Sequence, residues 1–326
     1  MSTLSSLISK DLGLEQRFVD KTINTAKSQY KNFTIPKRNG GRRAVSQPSP
    51  ELKVLQYWVG YRFIKRLPVS ECSFAYTKGN SIKKHALMHV DSKFVFHADI
   101  EDFFPTISPD MLKAVFEQNA DLFTDIDVMS FYKDITKICF KDDGLCIGAV
   151  SSPSISNAIM KDFDDCLNDF AKHEGYIYTR YADDIYISSK KYIPNDVKVF
   201  VENELTIRGF SLNNSKTHFY SPKNRRLVTG LVITNDSKVS IGYKNICKIK
   251  KMVYEKIKYG KGDSRVILGY LSFLKDVDPH AYDRIIIKYS KLCEDDIIAV
   301  IRGDNKKCIS NSNIGNIIND FMKGKL

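Results

Sequence analysis

Short apolar runs and longer amphipathic stretches alternate along the chain, and this pattern predicts a mixed fold of strands and helices. Residues 94–98 form an apolar run that leads directly into Asp99, as a buried strand ending in a carboxylate does. Residues 176–178 and 185–187 are β-branched or aromatic and lie close together in the chain. They predict the two arms of a tight β-hairpin, which leaves residues 182–184 at the turn.

Apolar residues recur at helical spacing in most of the remaining chain. Helices are predicted over residues 4–30, 51–65, 110–139, 158–170 and 195–208, and a helical bundle from residue 242 onward. In the first helix of that bundle, residues 242–265, eight Lys and Arg residues stand against only Glu255 and Asp263. One basic face on an amphipathic helix favours contact with a nucleic-acid backbone over an ordinary solvated surface.

Two adjacent carboxylates, Asp183 and Asp184, lie at the predicted hairpin turn. A single turn Asp is ordinary because it can hydrogen-bond its own backbone, but two between buried strands suit a hard divalent cation such as Mg²⁺. A strand that ends in Asp99 can set a third carboxylate beside them. Three such carboxylates can hold two metal ions for phosphoryl transfer, one ion activating the attacking hydroxyl and the other stabilising the leaving pyrophosphate.

The order of these motifs is similar to a known family. Asp99 is followed five residues later by Phe104, and Tyr-Ala-Asp-Asp occupies positions 181–184. This order resembles the palm of the reverse transcriptases, and the resemblance runs from about residue 33 to about residue 273. It implies an α+β, right-hand polymerase with fingers, a palm of antiparallel sheet plus helices, and a helical thumb. It also implies that Phe104 is the steric gate against ribonucleotides and that two Mg²⁺ ions are held by Asp99, Ile100, Asp183 and Asp184.

A basic segment near the N-terminus, residues 33–48, has the pattern of strand, glycine turn and strand. Basic residues at such a hairpin tip can reach the phosphates of an incoming nucleotide, and a non-specific basic hairpin is the alternative. By resemblance to the reverse transcriptase fingers, Arg43 holds the triphosphate and Lys37 assists. The next fingers motif and the lysines that follow it add Lys78 and Lys84 as candidate phosphate contacts.

Two further signatures resemble those of the retron reverse transcriptases. His85-Ala-Leu-Met-His89 is similar to the family's Asn-Ala-x-x-His, with His85 in place of Asn, and residues 228–230 read Val-Thr-Gly. His85 and His89 stand four residues apart, but no third ligand follows nearby, so a structural role or RNA contact is favoured over a metal. The resemblance makes His89 and Thr229 candidate nucleic-acid contacts.

Positions around the nucleotide and in the thumb complete the resemblance. Residues 144–157 resemble the family's Gln-Gly-x-x-x-Ser-Pro motif, with Ile147 in the Gln position and Gly148 keeping the backbone geometry at the nucleotide. Lys216 corresponds to the palm lysine that can donate a proton to the leaving pyrophosphate, and a solvated loop lysine is the alternative. Lys248, Lys250 and Lys251 are the candidate contacts to the template-primer backbone.

Composition mainly indicates what kind of partner the protein binds. The 326 residues are 43% hydrophobic and 27% charged, as in an ordinary folded chain, and the net charge is +12. This basic surplus suits a polyanionic partner, with nucleic acid the first candidate. Seven Cys without C-x-x-C spacing favour a reducing compartment, and the absence of a signal peptide or a membrane-length apolar run makes the cytoplasm the expected location.

The sequence thus predicts an enzyme, an RNA-directed DNA polymerase that uses dNTPs and Mg²⁺. The expected domains are residues 1–90, N-terminal helix and fingers, residues 91–240, palm with a helical insertion, and residues 241–326, thumb and tail. The retron resemblance implies that a cognate structured non-coding RNA is template and primer, that branched RNA–DNA (msDNA) is the product, and that a separate effector protein shares an anti-phage role, with no membrane involved. Two alternatives stay open: a defence-associated reverse transcriptase outside the retrons, and a nucleoprotein scaffold that holds an effector inactive.

Overall fold

The chain runs through two units, each with strands and helices of its own. The computed structural model describes residues 3–37, 40–293 and 296–303. The first unit comprises Met1–Ser81 and Asp91–Lys223, and the second comprises Ile82–Val90 and Asn224–Leu326. The chain therefore leaves the first unit briefly and returns to it before it enters the second for good. The tail that the sequence analysis places after the thumb, residues 305–326, lies outside the described residues.

Helices and short strands alternate along the described chain, as the apolar pattern predicts. In chain order the α-helices are α1 (Leu4–Leu12), α2 (Gln16–Asn24), α3 (Pro50–Arg62), α4 (Ile82–Met88), α5 (Phe103–Thr106), α6 (Pro109–Gln118), α7 (Tyr132–Cys139), α8 (Ser152–Ile159), α9 (Lys161–Glu174), α10 (Asp196–Ile207), α11 (Tyr243–Tyr259), α12 (Ser264–Val277), α13 (Pro279–Ser290) and α14 (Ile297–Arg302). The strands are β1 (Tyr30–Pro36), β2 (Arg42–Pro48), β3 (Phe94–Asp99), β4 (Ile177–Tyr181), β5 (Asp184–Ser189), β6 (His218–Tyr220), β7 (Arg226–Val228), β8 (Leu231–Ile233) and β9 (Val239–Ser240). Within the described ranges, none of these helices is both long and apolar enough to cross a membrane.

An antiparallel sheet in the order β4-β5-β3-β6 organises the first unit. β4 and β5 are the arms of the predicted hairpin, and their register joins Tyr181 to Asp184. Inward-facing side chains of the strands, such as Phe96 and Ile187, share one buried core with apolar residues of α6 and α9. Each such large side chain contributes about 1.5–3 kcal/mol by leaving water, so the core fixes the strands on which the candidate site is built.

The N-terminal region differs from the prediction of one helix over residues 4–30, which is wrong. α1 ends at Leu12 because Gly13 adopts φ +65°, the left-handed conformation that closes many helices and that glycine enters without a Cβ clash. The chain restarts as α2 and is already extended at Tyr30, the first residue of β1. Helical periodicity continues across the break because both helices bury apolar side chains in the same core.

The second unit combines α4 with a three-stranded antiparallel sheet in the order β7-β8-β9. α4 contacts all three strands, and α11 contacts α12, α13 and α14. The basic amphipathic helix predicted over residues 242–265 is present as α11, which buries Ile249, Val253 and Ile257. It ends earlier than predicted, at Tyr259, because Gly260 adopts φ +65°, and Arg265 belongs to α12. Residues 82–90, which the sequence analysis groups with the fingers, belong to this second unit. The division into fingers, palm and thumb stays a prediction.

Candidate active site

The end of β3 and the turn of the β4–β5 hairpin lie side by side. In the antiparallel register, Asp99 at the end of β3 is paired with Asp184 at the start of β5. The backbone N–H of Ile100 donates a hydrogen bond of 2.9 Å to the carbonyl oxygen of Asp183. Backbone pairing therefore brings together the three carboxylates that the sequence singles out.

The hairpin turn has a backbone conformation that its neighbours must hold. Ala182 has φ +57°, in the left-handed region that residues other than glycine rarely occupy. The Nη1 of Arg180 donates a hydrogen bond of 2.9 Å to the Ala182 carbonyl oxygen. Because the next residue is Asp183, this contact helps to fix where that carboxylate leaves the backbone.

A buried ion pair lies behind the turn. Arg180 on β4 and Asp164 on α9 are both fully buried, and their side chains meet in two parallel hydrogen bonds of 2.7 Å, Nε to Oδ1 and Nη2 to Oδ2. The Tyr178 hydroxyl donates a further bond of 2.7 Å to Asp164 Oδ1. Two buried charges are tolerated here because the bidentate geometry and the added donor replace the water that each group has lost.

The carboxylates of the site repel one another. Burial, together with the charges of Asp184 and Asp99, raises the pKa of Asp183 to about 6. Two cationic or polar groups offset part of the charge: Lys216 Nζ lies 2.8 Å from both carboxylate oxygens of Asp99, and His97 Nε2 lies 2.7 Å from Asp184 Oδ1. Burial is the larger cause of the raised pKa of Asp183, and the charges of the neighbouring carboxylates add to it.

The donor set has the chemistry that a divalent metal requires. Three carboxylates at adjacent strand ends provide the hard oxygen ligands that Mg²⁺ prefers, and their mutual repulsion favours a cation between them. Within residues 3–37, 40–293 and 296–303, no three acidic, His or Cys side chains already converge around a single metal position. In this conformation Asp99 and Asp184 instead face Lys216 and His97. The residues fit a divalent metal, since a bound cation would take the place of Lys216 and His97 as the partner of Asp99 and Asp184.

A cavity of about 490 Å³ opens in front of the carboxylates. It brings together residues that the sequence analysis selects from five separate stretches, namely Lys37, Arg43, Asp99, Ile100, Phe104, Ile147, Asp183 and Lys216. Tyr76, Arg42 and Asn213 also line it and are absent from the sequence-based selection. Tyr76 is marked out by its backbone, because its φ of +61° is unusual for an aromatic residue, and this feature is visible in the structure and not in the sequence.

The fingers hairpin closes one side of the cavity through a tight backbone contact. The N–H of Ser46 on β2 donates a bond of 2.8 Å to the Ile147 carbonyl oxygen. Gly148 has φ +116°, and a Cβ there would lie 2.7 Å from the Ser46 carbonyl oxygen. Only glycine therefore permits this approach, which leaves the Ile147 side chain on the cavity wall and Gly148 beside it.

Comparison with known proteins decides the family. Residues 35–259 match the family model described as reverse transcriptase (RNA-dependent DNA polymerase). The chain is 33% identical over 276 residues to the retron Ec86 reverse transcriptase of Escherichia coli, with 83% of each chain covered. The chain belongs to the retron reverse transcriptases. The retron Ec83 reverse transcriptase of the same species is 31% identical over 284 residues, with 81% of this chain and 88% of that one covered.

A solved structure shows only a distant likeness. The apo telomerase of Candida tropicalis aligns with a TM-score of 0.48 and 12% identity, covering 83% of this chain and 60% of that one. The sequence matches therefore carry the assignment. As a retron reverse transcriptase, the protein is an RNA-directed DNA polymerase with an RNA template, nucleotide substrates and a dependence on divalent metal. The predicted α+β reverse transcriptase fold is confirmed.

The two retron signatures meet inside the second unit. His85 Nδ1 on α4 lies 3.4 Å from the Thr229 hydroxyl at the β7–β8 turn, and the rings of His85 and His89 are 5.5 Å apart, edge to face. His89 is fully buried, which lowers its pKa to about 3 and keeps the ring neutral. This burial corrects the assignment of His89 as a nucleic-acid contact, because its side chain has no surface to offer. The structural role that the sequence left open describes it better.

The remaining candidate nucleic-acid residues lie outside the cavity. Lys78 and Lys84 are exposed, and Thr229 is half-buried at its turn. On α11, Lys248 and Lys251 are exposed and Lys250 is half-buried. Lys248 Nζ also donates a hydrogen bond of 2.9 Å to the Tyr270 hydroxyl and lies 4.7 Å from the centre of that ring. Their contact with nucleic acid stays a prediction.

His97 is a site residue that sequence reasoning missed. It lies on β3 two positions before Asp99, and strand alternation places both side chains on the same face. Its ring stacks at 4.6 Å on Tyr186 of β5, which holds Nε2 toward Asp184. The two-residue repeat of a strand could have indicated that His97 shares a face with Asp99. In the sequence, however, His97 lies within an otherwise apolar run and looks like part of it.

We expect the Arg180–Asp164 pair to dominate the stability of the first unit. Arg180→Met leaves the Asp164 charge buried without its partner, which should lower the free energy of unfolding by roughly 3–5 kcal/mol. Arg180→Met combined with Asp164→Leu should recover part of the loss because it removes both charges. Urea unfolding followed by fluorescence measures both. Arg66→Met, which breaks the solvent-exposed pair with Asp125, is the control and should have a much smaller effect; equal losses in the two single variants would contradict the account.

We expect His97 to position Asp184 for metal binding. In His97→Ala the Asp184 carboxylate loses its partner and can adopt other rotamers, so the metal concentration for half-maximal nucleotide incorporation should rise several-fold. His97→Gln can still donate a hydrogen bond from a similar place and should restore much of the affinity. A titration of activity against Mg²⁺ measures this, with the exposed His173→Ala as control. An unchanged metal midpoint in His97→Ala would remove His97 from this role.

Proposed function

We propose that this reverse transcriptase makes msDNA, a branched RNA–DNA molecule, from a cognate structured non-coding RNA that serves as template and primer. The observation that carries the proposal is the cavity at which Asp99 and Asp183 meet basic residues of the fingers hairpin, with Asp184 paired to Asp99 in the sheet, in a chain of the retron family. Such groups suit nucleotidyl transfer to a hydroxyl. By the retron resemblance, that first hydroxyl is an internal 2′-hydroxyl of the RNA.

The metal in this proposal is Mg²⁺, held as two ions by Asp99, Asp183 and Asp184 with Ile100 beside them. When bound, the ions supply activation of the attacking hydroxyl and neutralise charge on the leaving pyrophosphate. Burial of Asp99 limits the access of bulk water to that carboxylate. The hydrogen bond from Ile100 to the Asp183 carbonyl and the contact from Arg180 to Ala182 hold the ligands in register.

The fingers side of the cavity binds the nucleotide. Arg43 holds the triphosphate with Lys37 assisting, since a guanidinium can donate two parallel hydrogen bonds to phosphate oxygens. Phe104 lies on the cavity wall, where it would exclude the 2′-hydroxyl of a ribonucleotide. Ile147 offers the nucleotide an apolar surface in place of the family's Gln, and Gly148 lets that segment approach the hairpin.

Lys216 is the proposed proton donor. Its ammonium lies in the cavity beside Asp99, at 2.8 Å from both carboxylate oxygens. A bound metal would compete with Lys216 for Asp99, and the released Nζ could then donate its proton to the pyrophosphate oxygen that leaves. The same side chain thus offsets the Asp99 charge before substrate binds and serves the leaving group afterwards.

Basic residues outside the cavity are proposed to hold the RNA and the growing hybrid. Lys78, Lys84 and Thr229 would contact the template RNA, and Lys248, Lys250 and Lys251 would follow the template-primer backbone from α11. Such phosphate contacts fix position with little sequence preference. The retron resemblance further supports a cytoplasmic role in anti-phage defence with a separate effector protein as partner.

The test is the nucleic acid that the protein carries when it is expressed with its own flanking locus. We expect a short DNA that stays joined to RNA until a debranching enzyme is added, and its complete loss in the double variant Asp183→Asn, Asp184→Asn. The matched control is Asp142→Asn, Asp143→Asn, an adjacent Asp pair at a turn away from the cavity. RNA alone from the wild-type protein, or DNA without a branch, would contradict the retron mechanism.

A further inference from the structure

One outward row of α3 carries two tyrosines with a lysine at each end. Lys53, Tyr57, Tyr61 and Lys65 follow one another at four-residue intervals, the last in the short 3₁₀ turn Ile64–Arg66 that continues the helix. Residues four apart are neighbours on a helix surface, so the four side chains form a continuous row, here called the tyrosine ridge. It spans roughly 18 Å along the helix.

The two tyrosines of the ridge are not packed into the core. Tyr57 is 65% exposed and Tyr61 is 73% exposed, whereas Leu52, Leu55 and Val59 on the opposite face are fully buried. The inward face therefore attaches α3 to the core by itself. Two large aromatic rings on the outward face, one helical turn apart, are left to solvent.

The charged side chains of this segment are mostly basic, and one of them, Arg66, is paired with Asp125. Lys65 Nζ lies 5.1 Å from the Tyr61 ring centre, within the range of a cation–π contact. Between residues 50 and 66 the basic side chains are Lys53, Arg62, Lys65 and Arg66, against the single acid Glu51. A ligand that is polyanionic and carries flat π faces complements such a surface.

We propose that the tyrosine ridge binds single-stranded RNA outside the catalytic cavity, with bases stacked on Tyr57 and Tyr61 and phosphates held by Lys53 and Lys65. The ridge residues do not line the cavity, so this contact is separate from nucleotide binding. Stacking on tyrosine tolerates any base, which suits RNA that must be held and not read. The inference rests on the proposed function only in taking the cognate RNA as the natural ligand.

An RNA ligand explains the ridge better than a protein partner does. A protein interface is favoured by contiguous apolar area, but beside the rings α3 exposes one large apolar residue, Val54, which lies outside the ridge, and lysines stand at both ends of the ridge. Two rings bracketed by two cations match successive nucleotides, each of which has one base and one phosphate. A protein partner becomes one outcome of the test.

The experiment measures the affinity gained from single-stranded RNA. The full-length protein is titrated with a short RNA–DNA template-primer that is blunt, and with the same hybrid carrying a 20-nucleotide unstructured RNA extension at one end or the other. In Tyr57→Leu, Tyr61→Leu we expect the extension-dependent gain to fall by about tenfold or more, while affinity for the blunt hybrid stays unchanged, as does the rate of nucleotide incorporation on a primed template with a short overhang. Tyr57→Phe, Tyr61→Phe keeps both rings and should bind as wild type.

Salt dependence separates stacking from charge. The leucine variant should lose affinity with an unchanged salt slope because it removes no charge, whereas Lys53→Gln, Lys65→Gln should flatten the slope. Ile207→Ala, at a site that is 76% exposed, controls for loss of exposed apolar area. An extension-dependent gain that survives in the leucine variant would overturn the proposal and leave the ridge to a protein partner. Because incorporation on the short-overhang template reports catalysis independently, failure of the ridge and failure of the proposed function give different results.

Discussion

The buried pair of Arg180 and Asp164 is the interaction on which the candidate site depends. Burying either charge alone would cost several kcal/mol, so each requires the other and the bidentate geometry between them. The guanidinium then donates a remaining N–H to the Ala182 carbonyl, which ties the pair to the backbone of the hairpin turn. A contact between α9 and β4 thereby sets the conformation from which Asp183 and Asp184 project.

The carboxylates of the candidate site work against the stability that this pair provides. They are held close by backbone pairing between β3 and β5, and the raised pKa of Asp183 records the cost of placing buried negative charges together. Lys216 and His97 offset part of that cost while no metal is bound. A left-handed Ala182 beside them adds backbone strain, and strain of this kind persists only where the surrounding structure holds it. The site is thus charged and strained on a rigid support, as metal-dependent transfer requires.

Local patterns in the sequence predict the central strands well. The β-branched and aromatic runs around Asp183 and the apolar run before Asp99 specify a hairpin and a neighbouring strand, and antiparallel pairing then brings the carboxylates together. Roles taken from the family resemblance, such as those of Arg43 and Phe104, converge on one cavity, although their chemistry is still proposed.

What the sequence does not predict depends on partners far away in the chain. Arg180 looks like one more surface cation until Asp164 is known to lie beside it. His89 looks accessible until α4 is seen packed on β7-β8-β9, a sheet about 140 residues later. The break after α1 depends on the φ of Gly13, which helical periodicity cannot show. In each case the deciding term is burial or backbone conformation, and neither is a property of the local pattern.

The most direct test of the central claim is single-nucleotide incorporation by the purified full-length protein on an RNA template with a paired primer and Mg²⁺. We expect template-directed addition of a dNTP by the wild-type protein, and a loss of at least about 10²-fold in Asp99→Asn, which keeps the size of the side chain but removes a ligand charge. The melting temperature should not fall, since the substitution relieves repulsion among the carboxylates. Incorporation by Asp99→Asn at the wild-type rate would contradict the assignment of this site as the polymerase centre.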